Sequence, residues 1–249
     1  MKEISRAQFL KRLMAGAMFL PGIAALGGPM DRLRGDRVGW ARLKTSSLYW
    51  MRHSGSDPVL MTFFRDQTTL NIDPTWYTAD ASNLSDLCRY PLLFSQGFGM
   101  VTEPAARNNL AEYVRRGGFL LLDACCNPKV TPDFDDFIRQ QTDFFSAVLP
   151  EARVANLPAT HEIYRCHFQI PGGHPPHTFM AGAYDARKAQ HGLHGVMIGQ
   201  RMAGLISVCG FQCGWDEVTA NHGIGPLGHS QACMRMLVNI YIYAMMQES

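Results

Sequence analysis

The segment Arg115–Asn127 (RRGGFLLLDACCN) constrains the fold of this chain more than any other stretch of its sequence. A helical pattern runs into this segment and ends at Gly117, because glycine readily takes the left-handed conformation that closes a helix. The apolar strand Phe119–Leu122 follows at once and carries Asp123 to its carboxyl end. In an α/β protein, that end of a strand is where ligands and catalytic groups usually lie.

This segment forms the second half of a predicted βαβ unit. The first strand is the apolar run Tyr90–Phe94, and the helix after it has Thr102 as a candidate cap and Pro104 in its first turn. The apolar positions of the helix form one stripe, which comprises Ala106, Leu110, Tyr113 and Val114. We therefore expect two parallel strands joined by a right-handed crossover.

Helices and strands alternate along the rest of the chain. Helical patterns cover Pro58–Thr69, Asp133–Leu149 and His229–Gln247, and strand patterns cover Gly39–Lys44, a stretch around Ile163–Phe168, Gly195–Gln200 and Gly204–Cys209. Two polar, turn-rich segments are predicted as loops: Asn71–Ser85 and Gly210–Gly228. This order predicts a three-layer α/β fold with a mostly parallel sheet, to which the last strand pair adds an antiparallel edge.

Composition and charge exclude two classes of protein. An apolar content of 47% is enough for a hydrophobic core, so a disordered chain is excluded. Four basic residues stand in the first dozen positions: Lys2, Arg6, Lys11 and Arg12. Without them and Glu3, 19 basic and 20 acidic residues remain of the 23 and 21 in the whole chain. The chain has no basic stripe or nucleic-acid motif, so we expect no nucleic-acid partner.

The N-terminus has the pattern of an export signal. Residues 13–30 carry no charge, but Pro21 interrupts this run, which is short for a membrane span and fits the apolar region of a signal peptide. Small residues precede a possible cleavage point before Gly28. Residues 5–11 (SRAQFLK) resemble the twin-arginine signal S-R-R-x-F-L-K, with Ala7 in place of the second arginine.

The predicted organisation is a signal peptide over residues 1–28, a linker over 29–37 and a single domain over 38–249. We expect the protein to be periplasmic or extracellular, with no stable membrane span after cleavage. The alternative is that the signal is retained as an uncleaved anchor.

The chain has seven cysteines, at positions 88, 125, 126, 166, 209, 213 and 233. The number is odd, so at least one cysteine cannot pair within the chain. Since the twin-arginine route carries folded proteins, buried thiols can persist, and we expect few or no disulfides. Cys209 and Cys213 are the one pair with a spacing worth testing.

Several ordered motifs resemble the prokaryotic domain-of-unknown-function family numbered 4159. They are ARLK (Ala41–Lys44), YPLLFSQGFG (Tyr90–Gly99), RRGGFLLLDAC (Arg115–Cys125), LPATHEIYR (Leu157–Arg165) and FQCGWDE (Phe211–Glu217). The resemblance covers Val38–Gln247 and implies a flavodoxin-like, class I glutamine amidotransferase-like fold. The sequence departs from the family pattern at Ala124, Phe98 and Glu162. The family has no assigned activity, so the resemblance implies a fold and a site location.

The amidotransferase-like fold suggests a cysteine nucleophile after the strand Phe119–Leu122. Cys125 or Cys126 would attack, His161 would act as the base, and Asp123 or Glu162 as its acidic partner. However, the tight turn that exposes such a nucleophile usually has glycine flanks and leads into a helix, whereas Asn127-Pro128 prevents a helix from starting at once. The alternative is that both cysteines pack in the core.

Asp123 is the stronger functional candidate. An acid at a strand end with no Lys or Arg beside it can bind a ligand, or it can cap backbone N–H groups of its own loop. Around it, the predicted cleft contains Ser95, Gln96, Gly97, Tyr164, Gln212, Trp215 and Asp216. The segment that carries Trp215 is either a wall of this cleft or a connection anchored by Trp215 in the core.

The histidine-rich segment is the candidate metal site of the sequence. His174 and His177, like His191 and His194, stand three residues apart, and His167 is near in sequence. Zinc needs three or four ligands with supporting contacts, and the prolines between His174 and His177 exclude a common helical face. We therefore expect loop histidines, with no metal and no cofactor.

These observations predict an exported amidotransferase-like domain that serves as a non-catalytic binding or accessory module for a small-molecule or protein ligand. Two alternatives remain open. One is a Cys/His/Asp-dependent hydrolase of amide or ester bonds, and the other is a metal-dependent enzyme that uses the histidine-rich loop.

Overall fold

The computed structural model describes residues 37–46, 48–97, 101–125, 130–170, 191–220 and 227–247. These contain seven strands: β1 (Ala41–Lys44), β2 (Tyr77–Asp80), β3 (Leu92–Ser95), β4 (Phe119–Asp123), β5 (Ala152–Asn156), β6 (Leu193–Ile198) and β7 (Arg201–Ser207). They form one sheet in the order β2-β1-β3-β4-β7-β6-β5. The first five in this order are parallel, whereas β6 is antiparallel to both β7 and β5. The predicted mostly parallel sheet with an antiparallel edge is confirmed.

Helices cover both faces of this sheet. They are α1 (Asp57–Gln67), α2 (Leu84–Leu87), α3 (Pro104–Arg115), α4 (Phe134–Val148), α5 (Phe211–Ala220) and α6 (Leu227–Met246). The core on one face includes residues of α1, α5 and α6, and the core on the other includes residues of α2, α3 and α4. The α/β class predicted from sequence is therefore confirmed, with three layers. Within the described part of the chain, no helix is both long and apolar enough to cross a membrane.

The junction between α3 and β4 follows the sequence prediction. Gly117 has a φ of 94°, its N–H donates to Val114 O, and the N–H of Gly118 donates to Tyr113 O. These two bonds form the double closure that commonly ends a helix at glycine. The predicted cap Thr102 was one residue early, because the helix begins at Pro104 and its cap position is Glu103, whose side chain makes no capping bond.

The segment predicted as a glycine-rich loop contains the helix α5. Phe211 and Trp215 are four residues apart and fully buried, so they give this helix an apolar face. The N–H groups of Gly210, just before the helix, and of Gln212, in its first turn, bond to Asp123, which is remote in sequence. A cap supplied from another strand leaves no local start signal, and sequence analysis therefore missed the helix.

Two strand assignments also differ from the prediction. Tyr77–Asp80 is an edge strand inside the predicted loop, and only Ala79 of its four residues is buried, so its pattern is weak. Conversely, Ile163–Phe168 forms no strand. The side chain of Asn239 holds it as a turn by donating to Ile163 O (2.9 Å) and Phe168 O (2.8 Å). The strand of this region is Ala152–Asn156 instead.

The close approach of Gly118 to Tyr113 gives a test of the α3–β4 junction. A Cβ atom at position 118 would lie 2.3 Å from Cζ of Tyr113. The tyrosine ring is buried, and its hydroxyl donates to Tyr90 O (3.1 Å) and accepts from Phe119 N–H (3.2 Å), so it cannot move aside freely.

We expect Gly118→Ala to lower the free energy of unfolding by about 1–3 kcal/mol, because the ring or the backbone must shift. Gly55→Ala is the matched control, since a Cβ there would meet nothing within 4 Å. Urea unfolding midpoints measure both effects. Equal midpoints for the two variants would show that the packing of Tyr113 against Gly118 leaves room for a methyl group at position 118.

Candidate functional site

A cavity of about 320 Å³ lies at the carboxyl edge of the sheet. Its walls come from the ends of β1, β3 and β4 and from α4, and they comprise Thr45, Trp50, Ser95, Gln96, Gly97, Cys125, Val130, Thr131, Phe137, Gln140 and Gln141. The strand β1 lies between β2 and β3, so the chain order reverses at this point. Open parallel sheets bind their ligands at such a reversal.

The described walls of this cavity are polar but carry no charged side chain. They combine three amides, three hydroxyl groups and two aromatic rings with Gly97, Val130 and Cys125. Ser95 is buried, and its hydroxyl donates to Gly97 O (3.1 Å) and accepts from Gly97 N–H (3.2 Å). This local turn fixes the wall that follows β3.

Asp123, at the end of β4, lies behind this cavity and is only 1% exposed. Its carboxylate accepts hydrogen bonds from the Ser207 hydroxyl (2.9 Å) and from the N–H groups of Gly210 (3.0 Å) and Gln212 (3.1 Å). It therefore caps the first turn of α5 from a different strand. One of the two roles predicted for Asp123 was to cap N–H groups of its own loop, but the capped groups belong to the junction of β7 and α5.

Burial raises the pKa of Asp123 to about 7. The hydrogen bonds from Gln212, Ser207 and Gly210 oppose this shift because they favour the charged form, and the neighbouring Cys125 adds a small upward contribution. All three hydrogen-bond donors are uncharged, so removal from water decides the direction.

Gln212 connects this buried carboxylate to the cavity wall. Its backbone N–H bonds to Asp123, its side-chain Nε2 donates to the carbonyl of Arg52, and its Oε1 accepts from Nε2 of Gln96. Gln212 is fully buried. The remaining oxygen of the pair, Gln96 Oε1, is buried and has no hydrogen-bond partner among the described residues.

A second buried carboxylate, Asp57, pairs with Arg42 of β1. Both side chains are fully buried, and two hydrogen bonds of 2.6 Å join them. Asp57 also accepts from the indole N–H groups of Trp40 and Trp215, each at 3.2 Å. This carboxylate therefore joins β1, α1 and α5.

The same arginine holds one wall of the cavity. Its Nη1 atom donates to the carbonyls of Trp50 (2.9 Å) and Arg52 (3.0 Å). Trp50 belongs to the short 3-10 helix Leu48–Met51 and lines the cavity. Sequence analysis missed this role. The available signal was that Arg42 alternates with Trp40 on one side of β1, where a charge needs a buried partner.

His161 lies on the surface of α6. Its Nδ1 accepts from the N–H of Ile163 (3.2 Å), and its ring packs edge-on against Tyr243 at a centroid distance of 5.4 Å. Burial lowers its pKa. Within the described residues, the ring makes no hydrogen bond to Cys125. The structure thus brings Asp123 and Cys125 to one strand end and places His161 against another element, while Cys126 lies outside the described residues.

The other predicted cleft residues fall into three groups. Ser95, Gln96 and Gly97 line the cavity, and Gln212 stands behind Gln96. Trp215 and Tyr164 are core residues, and burial raises the pKa of Tyr164 to about 12. Asp216 is in α5, and its side chain lies outside the described part of the chain. Sequence analysis did not identify the wall residues Trp50, Thr131, Phe137, Gln140 and Gln141.

Across the described residues, no group of three or more His, Cys, Asp or Glu side chains is arranged to hold a metal ion. His174 and His177 lie outside those residues. Nε2 of His167 bonds to Gln67 O (2.9 Å), and His194 is half-buried on β6. No disulfide joins any two of the six described cysteines, and this includes Cys209 and Cys213.

Comparison with protein-family models matches residues 40–245 to a domain of unknown function (DUF4159). No curated protein matches the chain. The match includes all seven strands and almost all of α6, and therefore every described wall of the cavity.

The raised pKa of Asp123 gives a stability test with a defined sign. The folded-state pKa lies above that of an unfolded carboxyl, so this group's stabilising contribution is complete below the ordinary carboxyl range and is lost as the pH rises through about 7. We expect the free energy of unfolding of the native protein, relative to Asp123→Asn, to fall by about 2 kcal/mol between pH 5 and pH 7.

Asp66→Asn is the control, because this aspartate is well exposed and its substitution should change the stability little. The lowered pKa values of His161 and His194 act equally in all three proteins and cancel in the difference. Denaturant titrations at several pH values measure it. A pH-independent difference for Asp123→Asn would show that its carboxyl group titrates as in the unfolded chain.

Proposed function

The chain belongs to the DUF4159 family, and we propose that it is an exported binding module that holds a small, uncharged polar ligand at the carboxyl edge of its sheet. The observation that carries the proposal is the cavity between the ends of β1, β3 and β4. Its volume of about 320 Å³ falls at the lower end of the range of small-molecule pockets, about 300–1,000 Å³.

The strand order supports the finer fold assignment that goes with this proposal. The five parallel strands follow the order β2-β1-β3-β4-β7, which is the order of flavodoxin-like sheets. This agreement supports a class I glutamine amidotransferase-like fold for the family. It also supports a ligand site at the reversal between β1 and β3, where flavodoxin-like proteins bind their ligands.

The uncharged walls favour an uncharged ligand. A charged group that leaves water without an opposite charge loses several kcal/mol of solvation free energy. The ion pair that holds the Trp50 wall, Arg42 with Asp57, is fully buried, and each charge is neutralised by the other. Asp136, which accepts a hydrogen bond from the wall amide of Gln140, is likewise paired, with Arg139. Asp123 lies behind the wall rather than in it.

Binding is favoured over catalysis because the groups that a hydrolase needs are engaged elsewhere. Asp123 accepts three hydrogen bonds from the junction of β7 and α5, and the His161 ring packs on α6. One observation still favours the hydrolase alternative, which is that Cys125 lines the cavity. The two functions differ in whether bound ligand is chemically changed and whether the Cys125 thiol is required.

We expect Gln140→Trp to weaken the binding of uncharged fragments about tenfold or more, since an indole there fills the cavity from α4. Gln140 is exposed and lines the cavity, so the substitution should leave the fold intact. Arg139→Trp is the matched control on the same helix, because Arg139 is exposed and does not line the cavity. Ligand-observed NMR against a library of uncharged, anionic and cationic fragments measures binding.

Three outcomes would contradict this proposal. They are a preference for charged fragments, equal binding by the two tryptophan variants, and turnover of a bound amide or ester that Cys125→Ser abolishes. The last outcome would establish the hydrolase alternative. Under the binding proposal, Cys125→Ser keeps its ligand affinity and no bound compound is converted.

Export is the second part of the proposal and rests on residues 1–28. The basic start, the uncharged run and the SRAQFLK pattern support cleavage before Gly28. We expect protein recovered from the periplasm to begin at or near Gly28, as N-terminal sequencing or intact mass would show. Periplasmic material that retains Met1, or protein found only in the cytoplasm, would contradict it.

A further inference from the structure

The chemistry of the cavity walls indicates which hydrogen-bonding groups the ligand carries. Each of the six polar wall side chains carries an amide or a hydroxyl group, and both kinds of group can donate and accept hydrogen bonds. A ligand hydroxyl has the same double capacity at a single oxygen atom. Several hydroxyl groups on one small molecule would therefore match these walls without any charge.

Gln96 gives one of these contacts a fixed polarity. Nε2 of Gln212 donates to the carbonyl of Arg52, which can only accept, so Oε1 of Gln212 must face Gln96. Gln96 therefore presents its Nε2 to Gln212, because two carbonyl oxygens in contact would repel each other. Its own Oε1 is left as a buried acceptor without a partner in the described part of the chain.

A buried acceptor without a donor costs about 1–3 kcal/mol, and such groups in native proteins usually have a reason. Gln96 stands in the wall of the cavity and its side chain is partly exposed, so a small turn of its amide would bring this covered oxygen to a donor on a ligand. A ligand that offers only acceptors would leave the oxygen unsatisfied. The wall at Gln96 thus selects for an O–H or N–H group.

Two aromatic residues complete the site. Trp50 and Phe137 enter the cavity wall from the segment after β1 and from α4, respectively. Aromatic rings offer flat apolar surface, and tryptophan adds a polar edge. A saturated ring with hydroxyl groups at its rim and C–H groups on its faces matches such a mixture of amide, hydroxyl and aromatic groups.

We propose that the ligand of this cavity is an uncharged, hydroxyl-rich ring of monosaccharide size, and that Gln96 Oε1 accepts a hydrogen bond from one of its hydroxyl groups. This inference rests on the proposed binding function. It adds the chemical class of the ligand and names the residue that selects it.

The test compares matched probes by saturation-transfer NMR and by chemical shifts of the Trp50 indole and the glutamine side-chain amides. D-Glucose and N-acetyl-D-glucosamine are the uncharged sugars, and D-glucuronate and D-glucosamine, respectively, are their charged counterparts. N-Methyl-2-pyrrolidinone is an uncharged ring without a hydrogen-bond donor. We expect at least one uncharged sugar to bind, and we expect the affinity of its charged counterpart to be lower by at least about tenfold.

The variant Gln96→Met keeps the length of the side chain and removes its amide. We expect it to lose about tenfold in affinity for the sugar while its affinity for N-methyl-2-pyrrolidinone is unchanged. A purely structural role, in which Gln96 only joins Gln212, predicts that both probes weaken together. Gln212→Met distinguishes the selective role from the structural one, because it removes the hydrogen bond between the two glutamines but keeps the acceptor Gln96 Oε1.

The failures of the two proposals are distinguishable. If uncharged fragments bind at this cavity and no sugar does, the sugar inference is overturned and the binding function stands. If Gln96→Met weakens both probes equally, the selective role of Gln96 is overturned. If no sugar or fragment shifts the wall resonances of the native protein, both proposals are overturned.

Discussion

The carboxyl edge of this sheet depends on the buried ion pair between Arg42 and Asp57. Removing two charges from water is costly, and a buried pair is tolerated only when its remaining hydrogen-bonding groups are satisfied. Here two indole N–H groups complete the carboxylate, and two backbone carbonyls complete the guanidinium. These contacts allow few alternative arrangements, so the segment that carries Trp50 and the helix that carries Trp215 are each fixed relative to β1.

The helix α5 shows where local sequence information ends. The α3–β4 junction could be predicted because its stripe, its glycine closure and its strand all lie within a short stretch. The cap of α5 and its tryptophan anchor come from Asp123 and Asp57, which are 89 and 158 residues away from their partners Gln212 and Trp215. No local pattern encodes such contacts, and the glycines around α5 resemble a loop.

The candidate site likewise contains residues that could be predicted from the sequence and residues that could not. Ser95, Gln96, Gly97 and Cys125 could be placed together from sequence, because the carboxyl ends of parallel strands meet at one edge of a sheet. The wall residues of α4 and of the segment after β1 could not be predicted. Their positions depend on the orientation of α4 against the sheet and on the hydrogen bond from Arg42 to the Trp50 carbonyl. Tyr164 shows the opposite error. It was predicted to line the cleft and lies in a motif that resembles the family, but its side chain packs in the core.

The position of β7 between β4 and β6 has a consequence for how the chain folds. The strand comes from the last fifth of the sequence but completes the middle of the sheet, so the wholly buried strand β4 has an unpaired side until β7 is made. Such pairings between distant segments form slowly, and an uncovered apolar strand edge recruits other chains. A chain interrupted before Arg201 would therefore present Phe119–Asp123 as an aggregation-prone edge, which makes completion of synthesis the step that secures the fold.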